Sequence, residues 1–288
     1  MLLYMKVIAY SLFGYNSDVT KNSEQPIGYD AFSFNSYLRG LMVNIRLARL
    51  IYPDWTIRLH LDNNTYEGFK DLFDKLPIQI VICDDAVLTK AMLWRLKPCF
   101  DTSVTHVICR DLDSPITYRE AQAVKYWMNK DKTAHAITDS VSHDVPMLGG
   151  MIGFIPKYFT SRTGFSNWDE MVAKGGGYER KGADQTFLTN VIYPKVAQHG
   201  FDSITQHYVL GMSNSFLSDY HNTIQDMELD IPTEYKETRD ICGHIGSAGY
   251  YNAQLSRFVN KHADKFTDLI EIELAYPDLF TWVKNGCY

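Results

Sequence analysis

The chain has 288 residues, a formal net charge of -6 and a hydrophobic content of 45%. That length and apolar content are sufficient for a sizeable buried core. The basic residues form no block along the sequence, so we expect no nucleic-acid partner. No run of about 18 apolar residues occurs, so we expect no transmembrane helix.

Cysteine usage indicates a reducing compartment. The cysteines are scattered without a Cys-x-x-Cys pair, at Cys83, Cys99, Cys109, Cys242 and Cys287. Several of them lie in apolar runs, so we interpret them as reduced core thiols and not as a zinc site. The apolar N-terminal segment is short and is interrupted by Lys6, which favours a first strand over a signal peptide. We therefore expect a cytoplasmic protein, in the host cytoplasm if the chain is viral.

Strand and helix patterns alternate along most of the chain. Apolar runs predict strands at residues 4–10, 55–61, 78–83, 104–109 and 133–138. Helical spacing predicts helices at residues 34–51, 66–76, 88–100, 183–193, 253–262 and 266–273. This alternation predicts an α/β fold with a parallel sheet flanked by helices. Ligands bind such sheets beyond the carboxyl ends of the strands, where Ser11, Asp62 and Asp111 are expected to lie along one edge.

The most informative stretch is the predicted strand that runs directly into Asp111 and Asp113. Two carboxylates one residue apart at a strand end can hold a hard divalent cation, which in turn can bind a diphosphate. Ser114 and Pro115 fit the N-cap and first position of a helix that we predict to extend to about residue 127. The alternative is an ordinary polar turn after a core strand, because Asp-x-Asp is common by chance.

Three further patterns are ambiguous when each is taken alone. Gly149 and Gly150 leave the backbone of an apolar strand bare, for either a close-approaching group or tight strand packing. An Asp-Gln pair, Asp184 and Gln185, opens a predicted helix and fits either a cap or a site. His244 lies between glycines and fits either a loop histidine or a ligand.

Together these pieces occur in the order of a known family. Trp94-Arg95-Leu96-Lys97-Pro98 precedes the Asp-x-Asp strand, followed by the glycine pair, the Asp-Gln pair, and a histidine with a nearby glycine, His244 and Gly246. This order resembles the GT-A glycosyltransferases, especially the retaining family of glycogenin and the bacterial lipooligosaccharide galactosyltransferases. Residues 4–250 are also similar to a group of bacterial and large-virus glycosyltransferase-like proteins.

The resemblance implies a fold and a division of the chain. The fold would be the GT-A, Rossmann-like form: a mixed, mostly parallel sheet flanked by helices, with a helical C-terminal extension. Residues 1–205 would form the nucleotide-sugar-binding and catalytic domain. Residues 206–288 would complete the metal site and pack on that domain.

The resemblance also implies roles for individual residues. Mn²⁺, or Mg²⁺, would be bound by Asp111, Asp113 and His244. The catalytic residues would be Asp184 and Gln185, which hold the transferred sugar, and Asp139, with His143 as a weaker candidate. The donor would be bound by Tyr10, Ser11, Asp62, Arg95, Asp111, Leu112, Gly149, Gly150 and Gly246.

The sequence departs from the family pattern in two places. No asparagine precedes Gly149 in the way the family shows. The Lys-Pro-Trp that follows the histidine motif is replaced by Ala248-Gly249-Tyr250, which removes a lysine that contacts the diphosphate. Arg180 or Lys181 could take its place. Retention of the anomeric configuration is implied by the resemblance, whereas an inverting reaction would need a general base such as Asp144 or Asp184.

The sequence therefore predicts a metal-dependent glycosyltransferase that moves a sugar from a nucleotide diphosphate sugar, with a UDP-sugar favoured, to a glycan or other hydroxyl acceptor. One alternative is a sugar nucleotidyltransferase, but Ser11-Leu12-Phe13-Gly14 lacks the Gly-rich, lysine-bearing loop expected after its first strand. The other is a catalytically inactive sugar-binding or scaffold protein of the same fold. The C-terminal aromatic residues Tyr276, Phe280 and Trp282 fit packing on the main domain, which we favour, or a membrane surface.

Overall fold

The computed structural model describes residues 4–15, 31–84, 88–130, 132–137, 145–196, 203–206, 222–224 and 261–284. The strands are β1 (Met5–Leu12), β2 (Trp55–Leu61), β3 (Gln79–Ile82), β4 (Val104–Arg110), β5 (Ala134–Ile137), β6 (Met151–Phe154), β7 (Ser203–Gln206) and β8 (Asn222–Ile224).

The helices fall into three kinds. The α-helices are α1 (Ala31–Ile51), α2 (Asn63–Gly68), α3 (Lys70–Phe73), α4 (Leu88–Met92), α5 (Tyr118–Lys130), α6 (Pro156–Thr163), α7 (Trp168–Val172), α8 (Ala183–Phe187), α9 (Tyr193–Val196), α10 (Thr267–Leu274) and α11 (Thr281–Lys284). Two 3₁₀ helices cover Leu93–Phe100 and Ala263–Lys265, and a π-helical turn covers Leu188–Ile192.

The described strands form one sheet in the order β3-β2-β1-β4-β6-β5-β7-β8. Among them β6 alone runs antiparallel to its neighbours, β4 and β5, while the other pairs are parallel. The predicted α/β fold with a mixed, mostly parallel sheet is therefore confirmed. Because β1, β2 and β4 are parallel, the residues that follow them lie at one edge of the sheet.

Both faces of the sheet are covered, as the apolar strand sequences require. In β1 the side chains of Ile8, Tyr10 and Leu12 belong to the core that contains α1. Those of Val7 and Ala9 belong to a second core, built against the 3₁₀ helix Leu93–Phe100 and α6. The strand is thus buried on both sides, and its carboxyl end emerges between the two layers.

Tertiary contacts change several predicted helix boundaries. The helix predicted to begin at Ser114 begins at Tyr118, so that boundary was wrong. Thr117 acts as the cap instead, since its Oγ1 accepts a hydrogen bond of 3.0 Å from the Glu120 backbone N–H. The predicted helix at residues 66–76 is divided between α2 and α3, and that at 88–100 changes from α4 to a 3₁₀ helix that contains Pro98.

The C-terminal segment packs against α1 through arginine side chains. Arg46 and Glu273 form an ion pair in which both side chains are 0% exposed, with Nη1 and Oε1 2.7 Å apart. Arg49 forms a two-bond pair with Asp268 near the surface. Phe280 lies fully buried in the α1 core. These contacts join α10 to the main sheet.

Two smaller observations bear on the sequence expectations. Cys99 and Cys109 are buried free thiols, and Cys83 is buried as well. Within the described part of the chain, no helix combines the length and apolarity that a bilayer span requires.

Replacing Glu273 with alanine should lower the free energy of unfolding by about 3–5 kcal/mol, because the buried Arg46 guanidinium loses its counter-charge. Asp268→Ala makes the same change of charge at a pair whose carboxylate is 54% exposed, and should cost at most about 1 kcal/mol. Urea unfolding of the two variants measures the difference. Equal losses would show that the Arg46 pair adds nothing beyond a surface contact.

The buried imidazole of His60 should make the free energy of unfolding depend on pH. The imidazole is buried in β2, with Nδ1 3.0 Å from the carbonyl oxygen of Tyr10. Burial lowers its pKa to about 3, against the opposing effect of that hydrogen bond. The unfolded chain, with a histidine pKa of about 6.5, therefore binds the proton more tightly than the folded chain. Stability from this group is complete above about pH 6.5 and is lost as the pH falls toward 3.

Between about pH 7.5 and about pH 5, the His60 effect should amount to about 2 kcal/mol of unfolding free energy. His60→Asn removes the titration while keeping an amide that can bond to the Tyr10 carbonyl. The loss of stability on acidification should therefore be about 2 kcal/mol smaller in the variant than in the wild type, as measured by urea unfolding at both pH values. The same loss in both proteins would rule out a neutral buried His60.

Candidate functional site

The candidate site lies where β4 ends. Asp111 follows the last residue of β4, and its carboxylate forms an ion pair with the Arg95 guanidinium. The Arg95 side chain is only 5% exposed and lies in the 3₁₀ helix Leu93–Phe100. Its backbone carbonyl is the nearest acceptor of the Cys109 thiol, at 3.3 Å. A buried cation is therefore fixed directly beneath the acidic strand end.

A second carboxylate shares the same guanidinium. Asp184, near the start of α8, places Oδ2 3.8 Å from Nη2 of Arg95 and is almost fully buried. Burial raises the pKa of Asp184; the charge of Arg95 opposes this rise and that of Asp111 adds to it. The pKa of Arg95 is raised, since the two carboxylates outweigh the effect of its burial. Arg95 thus joins β4 to α8 in one charged cluster.

Asp113 lies next to this cluster. Burial, and then the negative charge of Asp111, raises the pKa of Asp113 to about 7. The two aspartates of the motif therefore interact, and the charge of Asp111 destabilises the charged form of Asp113. A cation bound between them would relieve this repulsion, and their oxygen atoms are ligands that Mg²⁺ and Mn²⁺ accept.

The glycine pair predicted to leave the backbone bare is next to these charges. A Cβ atom at Gly150 would overlap the Asp111 carboxylate, and one at Gly149 would lie 2.5 Å from Nη2 of Arg95 and 3.2 Å from Oε1 of Gln185. Neither glycine has a positive φ angle. Both glycines lie in the turn that precedes β6, where the Met151 N–H donates a 2.8 Å hydrogen bond to the Leu148 carbonyl, so the prediction that they lie within a strand was wrong. Glycine is required at these two positions because the site's own side chains approach the backbone closely.

Gln185 holds this glycine segment. Its Oε1 accepts a 2.8 Å hydrogen bond from the Gly149 N–H, and its Nε2 donates a 2.6 Å bond to the Met147 carbonyl. The amide predicted to bind sugar hydroxyls is thus used to position residues 147–149. Any contact of Gln185 with a sugar would be made alongside these two bonds.

The predicted nucleotide-side residues lie at the same edge of the sheet. The Tyr10 hydroxyl and the Ser11 Oγ are buried atoms that have no hydrogen-bond partner among the residues that the structure describes. Burial, followed by the charge of Glu120, raises the pKa of Tyr10 well above its usual value. Asp62 is fully engaged within the chain, since its carboxylate accepts hydrogen bonds from the Gly14 N–H at 2.8 Å and from the Thr65 N–H at 2.9 Å. Asp62 therefore shapes the loop after β1 and caps α2.

The opposite face of β4 carries a second buried ion pair. Arg110 Nε donates to Glu120 Oε1 at 2.6 Å, and its Nη1 donates to the carbonyl oxygens of Cys109 and Ile152 at 2.7 and 2.9 Å. These bonds join β4, β6 and α5 at the position just before Asp111. An arginine within an apolar strand was the available signal for this role.

Sequence reasoning also missed Asn44. It lies on the apolar face of α1 at helical spacing from Leu41 and Ala48, is fully buried, and donates to the Leu112 carbonyl at 3.2 Å. Leu112 is the residue between the two aspartates, and its own side chain lies in the α1 core. A polar residue within an apolar helical stripe was the available signal, because a buried amide needs partners.

Several predicted site residues lie outside the described part of the chain. They are Asp139, His143, Asp144, His244 and Gly246. Within the described residues, no group of three or more metal-binding side chains is present. The roles assigned to these residues therefore stay predictions.

A separate cavity of about 720 Å³ lies near the start of β4, at the end of the strand opposite to Asp111. The residues that line it include Tyr4, Val104, His106 and Pro156. Val104 begins β4 and Asp111 follows its end, so the cavity lies about 20 Å from the charged cluster along the strand. No predicted site residue lines it.

Comparison with known proteins gave distant structural matches only. No protein-family model and no curated protein matches the sequence. GlyE, a glycosyltransferase of Streptococcus pneumoniae TIGR4, is 10% identical with a TM-score of 0.44. The match covers 91% of this chain and 64% of GlyE. Mouse xyloside xylosyltransferase 1 in its apo form is 14% identical with a TM-score of 0.37. The match covers 80% of this chain and 99% of the mouse protein. A putative glucose-1-phosphate thymidylyltransferase from Bacillus anthracis is 11% identical with a TM-score of 0.38. The match covers 70% of this chain and 86% of the Bacillus protein. Each of these three TM-scores is below 0.5, so these matches do not identify a function for this chain.

Gly150→Ala should lower the free energy of unfolding by about 1–3 kcal/mol, because the new methyl group forces Asp111 away from the buried Arg95. Gly176→Ala is the matched control: an added Cβ there meets nothing within 4 Å, and the change should stay within about 0.5 kcal/mol. Urea unfolding measures both. If Gly150→Ala were as stable as Gly176→Ala, the close approach of the Asp111 carboxylate to the backbone of Gly150 would be disproved.

Proposed function

We propose that this chain is a metal-dependent glycosyltransferase. It would transfer a sugar from a nucleotide diphosphate sugar, with a UDP-sugar favoured, to a hydroxyl group of a glycan or other acceptor. The observation that carries the proposal is the convergence of Asp111, Arg95 and Asp184 on the bare backbone of Gly149 and Gly150. This cluster lies at the carboxyl edge of the sheet, where such folds bind nucleotides.

The proposed cation is Mn²⁺ or Mg²⁺. Asp111 and Asp113 would bind it, and the raised pKa of Asp113, caused by its burial and then by the charge of Asp111, supports this assignment. His244 is proposed as the third ligand on the sequence resemblance. When bound, the metal would supply positive charge to the donor diphosphate as it leaves.

The remaining residues would bind and orient the substrates. Arg95 is fixed by burial and by two carboxylates, so its guanidinium would keep Asp111 in place and would add positive charge near the donor phosphates. Asp184 would accept hydrogen bonds from hydroxyls of the transferred sugar. Gln185 would position the glycine segment against which that sugar lies.

The nucleoside would lie at the ends of β1 and β2. The buried, unpartnered Tyr10 hydroxyl and Ser11 Oγ support this placement, as does the Gly14 loop that Asp62 holds. Asp139 is proposed as a further sugar contact and Gly246 as a further donor contact. Retention of configuration is favoured on the resemblance, and Arg180 or Lys181 would replace the missing diphosphate lysine.

Asp113→Ala should reduce metal-dependent transfer or donor hydrolysis by at least about 100-fold, because one of the carboxylates proposed to hold the metal is removed. The assay is a screen of nucleotide-sugars with Mn²⁺, in which nucleotide diphosphate release is measured. The melting temperature should stay close to that of the wild type. Asp169→Ala removes an exposed carboxylate in α7 and should retain full activity.

Normal transfer by Asp113→Ala would disprove the metal assignment. A wild-type protein that binds UDP and Mn²⁺ without turning over any nucleotide-sugar would instead favour the non-catalytic sugar-binding alternative. Formation of a nucleotide-sugar from a sugar phosphate and a nucleoside triphosphate would favour the nucleotidyltransferase alternative.

A further inference from the structure

Asn44 makes all of its described side-chain hydrogen bonds to the segment that carries the acidic motif. Its Nδ2 donates to the carbonyl oxygens of Leu112 and Ser114, both at 3.2 Å. Its Oδ1 accepts a 2.9 Å hydrogen bond from the Ile116 N–H. Asn44 is 0% exposed, so these bonds are shielded from water. One amide thus holds three backbone groups within five consecutive residues.

These bonds replace the secondary structure that the segment lacks. Residues 111–117 belong to no helix or strand, yet Leu112, Ser114 and Ile116 are buried. Buried backbone groups must find partners, and here a side chain from a distant helix supplies them. The same bonds explain why the helix predicted from Ser114 begins only at Tyr118.

The geometry determines the position of Asp113. Leu112 and Ser114 are the residues on either side of it, and the carbonyl oxygens of both are held by the same Nδ2 group. Asp111 is held separately, through its side chain, by Arg95. The two carboxylates are therefore fixed from opposite directions, Asp111 by an arginine and Asp113 by its backbone neighbours.

The chemistry requires an amide at position 44. An aspartate would place a carboxylate oxygen against two carbonyl oxygens, and an aliphatic side chain would remove three hydrogen bonds from the backbone of a buried segment. Helix α1 is itself held in place two residues further on, where Arg46 pairs with the buried Glu273.

We propose that Asn44 is a positioning residue for the cation and diphosphate site, acting by fixing Asp113 relative to Asp111 without touching the substrate. The proposal rests on the proposed function, because it assigns the role of Asn44 through the metal that the two aspartates would bind.

The test uses Asn44→Asp, with the milder Asn44→Ala if the first variant does not fold. Val43→Ala is the matched control, since Val43 is the adjacent buried residue of α1 and its side chain has no polar atom that could bond to residues 112–116. Hydrogen exchange of the Ile116 amide and Mn²⁺ affinity, measured by electron paramagnetic resonance, are the readouts. We expect at least about 10-fold faster Ile116 exchange and about 10- to 100-fold weaker Mn²⁺ binding in the Asn44 variants. In Val43→Ala the Mn²⁺ affinity should stay within about 2-fold of the wild type, because the hydrogen bonds of Asn44 to residues 112–116 are kept.

Each other result has a defined meaning. Unchanged exchange of the Ile116 amide in the Asn44 variants would disprove that Asn44 holds this segment. Faster exchange with Mn²⁺ affinity equal to that of Val43→Ala would reduce Asn44 to a structural residue and overturn the proposal. If the wild type bound Mn²⁺ and the Asn44 variants bound it equally well, only this inference would fail. A wild type that bound no Mn²⁺ would overturn the proposed function, and the role of Asn44 with it.

Discussion

The site depends on one buried cation. Arg95 lies almost completely out of water, and an unpaired guanidinium there would carry a large desolvation penalty. Asp111 and Asp184 remove that penalty, and in doing so they join the end of β4 to the start of α8. The two segments are separated by more than seventy positions in the printed sequence. Electrostatic compensation, and not local chain geometry, therefore brings the acidic groups together.

The parts around this charge cluster are fixed in complementary ways. Glycines at 149 and 150 let the backbone of the β6 entry approach the charged side chains, and Gln185 holds that backbone in place. On the other face of β4, Arg110 and Glu120 join the strand to β6 and α5. A site held from both faces of the sheet keeps its geometry before any ligand binds, which is the property that catalysis by oriented charges requires.

The same sheet edge combines groups that suit a nucleotide diphosphate sugar. The acidic pair suits a hard cation, the arginine suits phosphate, and the buried carboxylate of Asp184 suits sugar hydroxyls. Each group alone has an ordinary structural explanation, such as a cap or a turn. Their meeting within one cluster, beside the bare backbone of Gly149 and Gly150, is not required by packing alone, and this is why the proposed function rests on the geometry.

Local patterns in the sequence determined strands β1 to β5, the mostly parallel character of the sheet and the position of the acidic pair, because alternating burial and a polar strand end are properties of neighbouring residues. Strands β7 and β8 were not predicted. The helix start at Ser114 could not be read in this way, since Asn44, seventy positions earlier, binds the backbone that would have formed its first turn. Asp62 was expected at the ligand, yet its oxygens hold Gly14 and Thr65. Long-range packing determines which polar atoms bind each other across the fold. Only the tertiary structure therefore decided that Arg95 joins Asp111 to Asp184, and that Asn44 binds the backbone of the segment that follows Asp111.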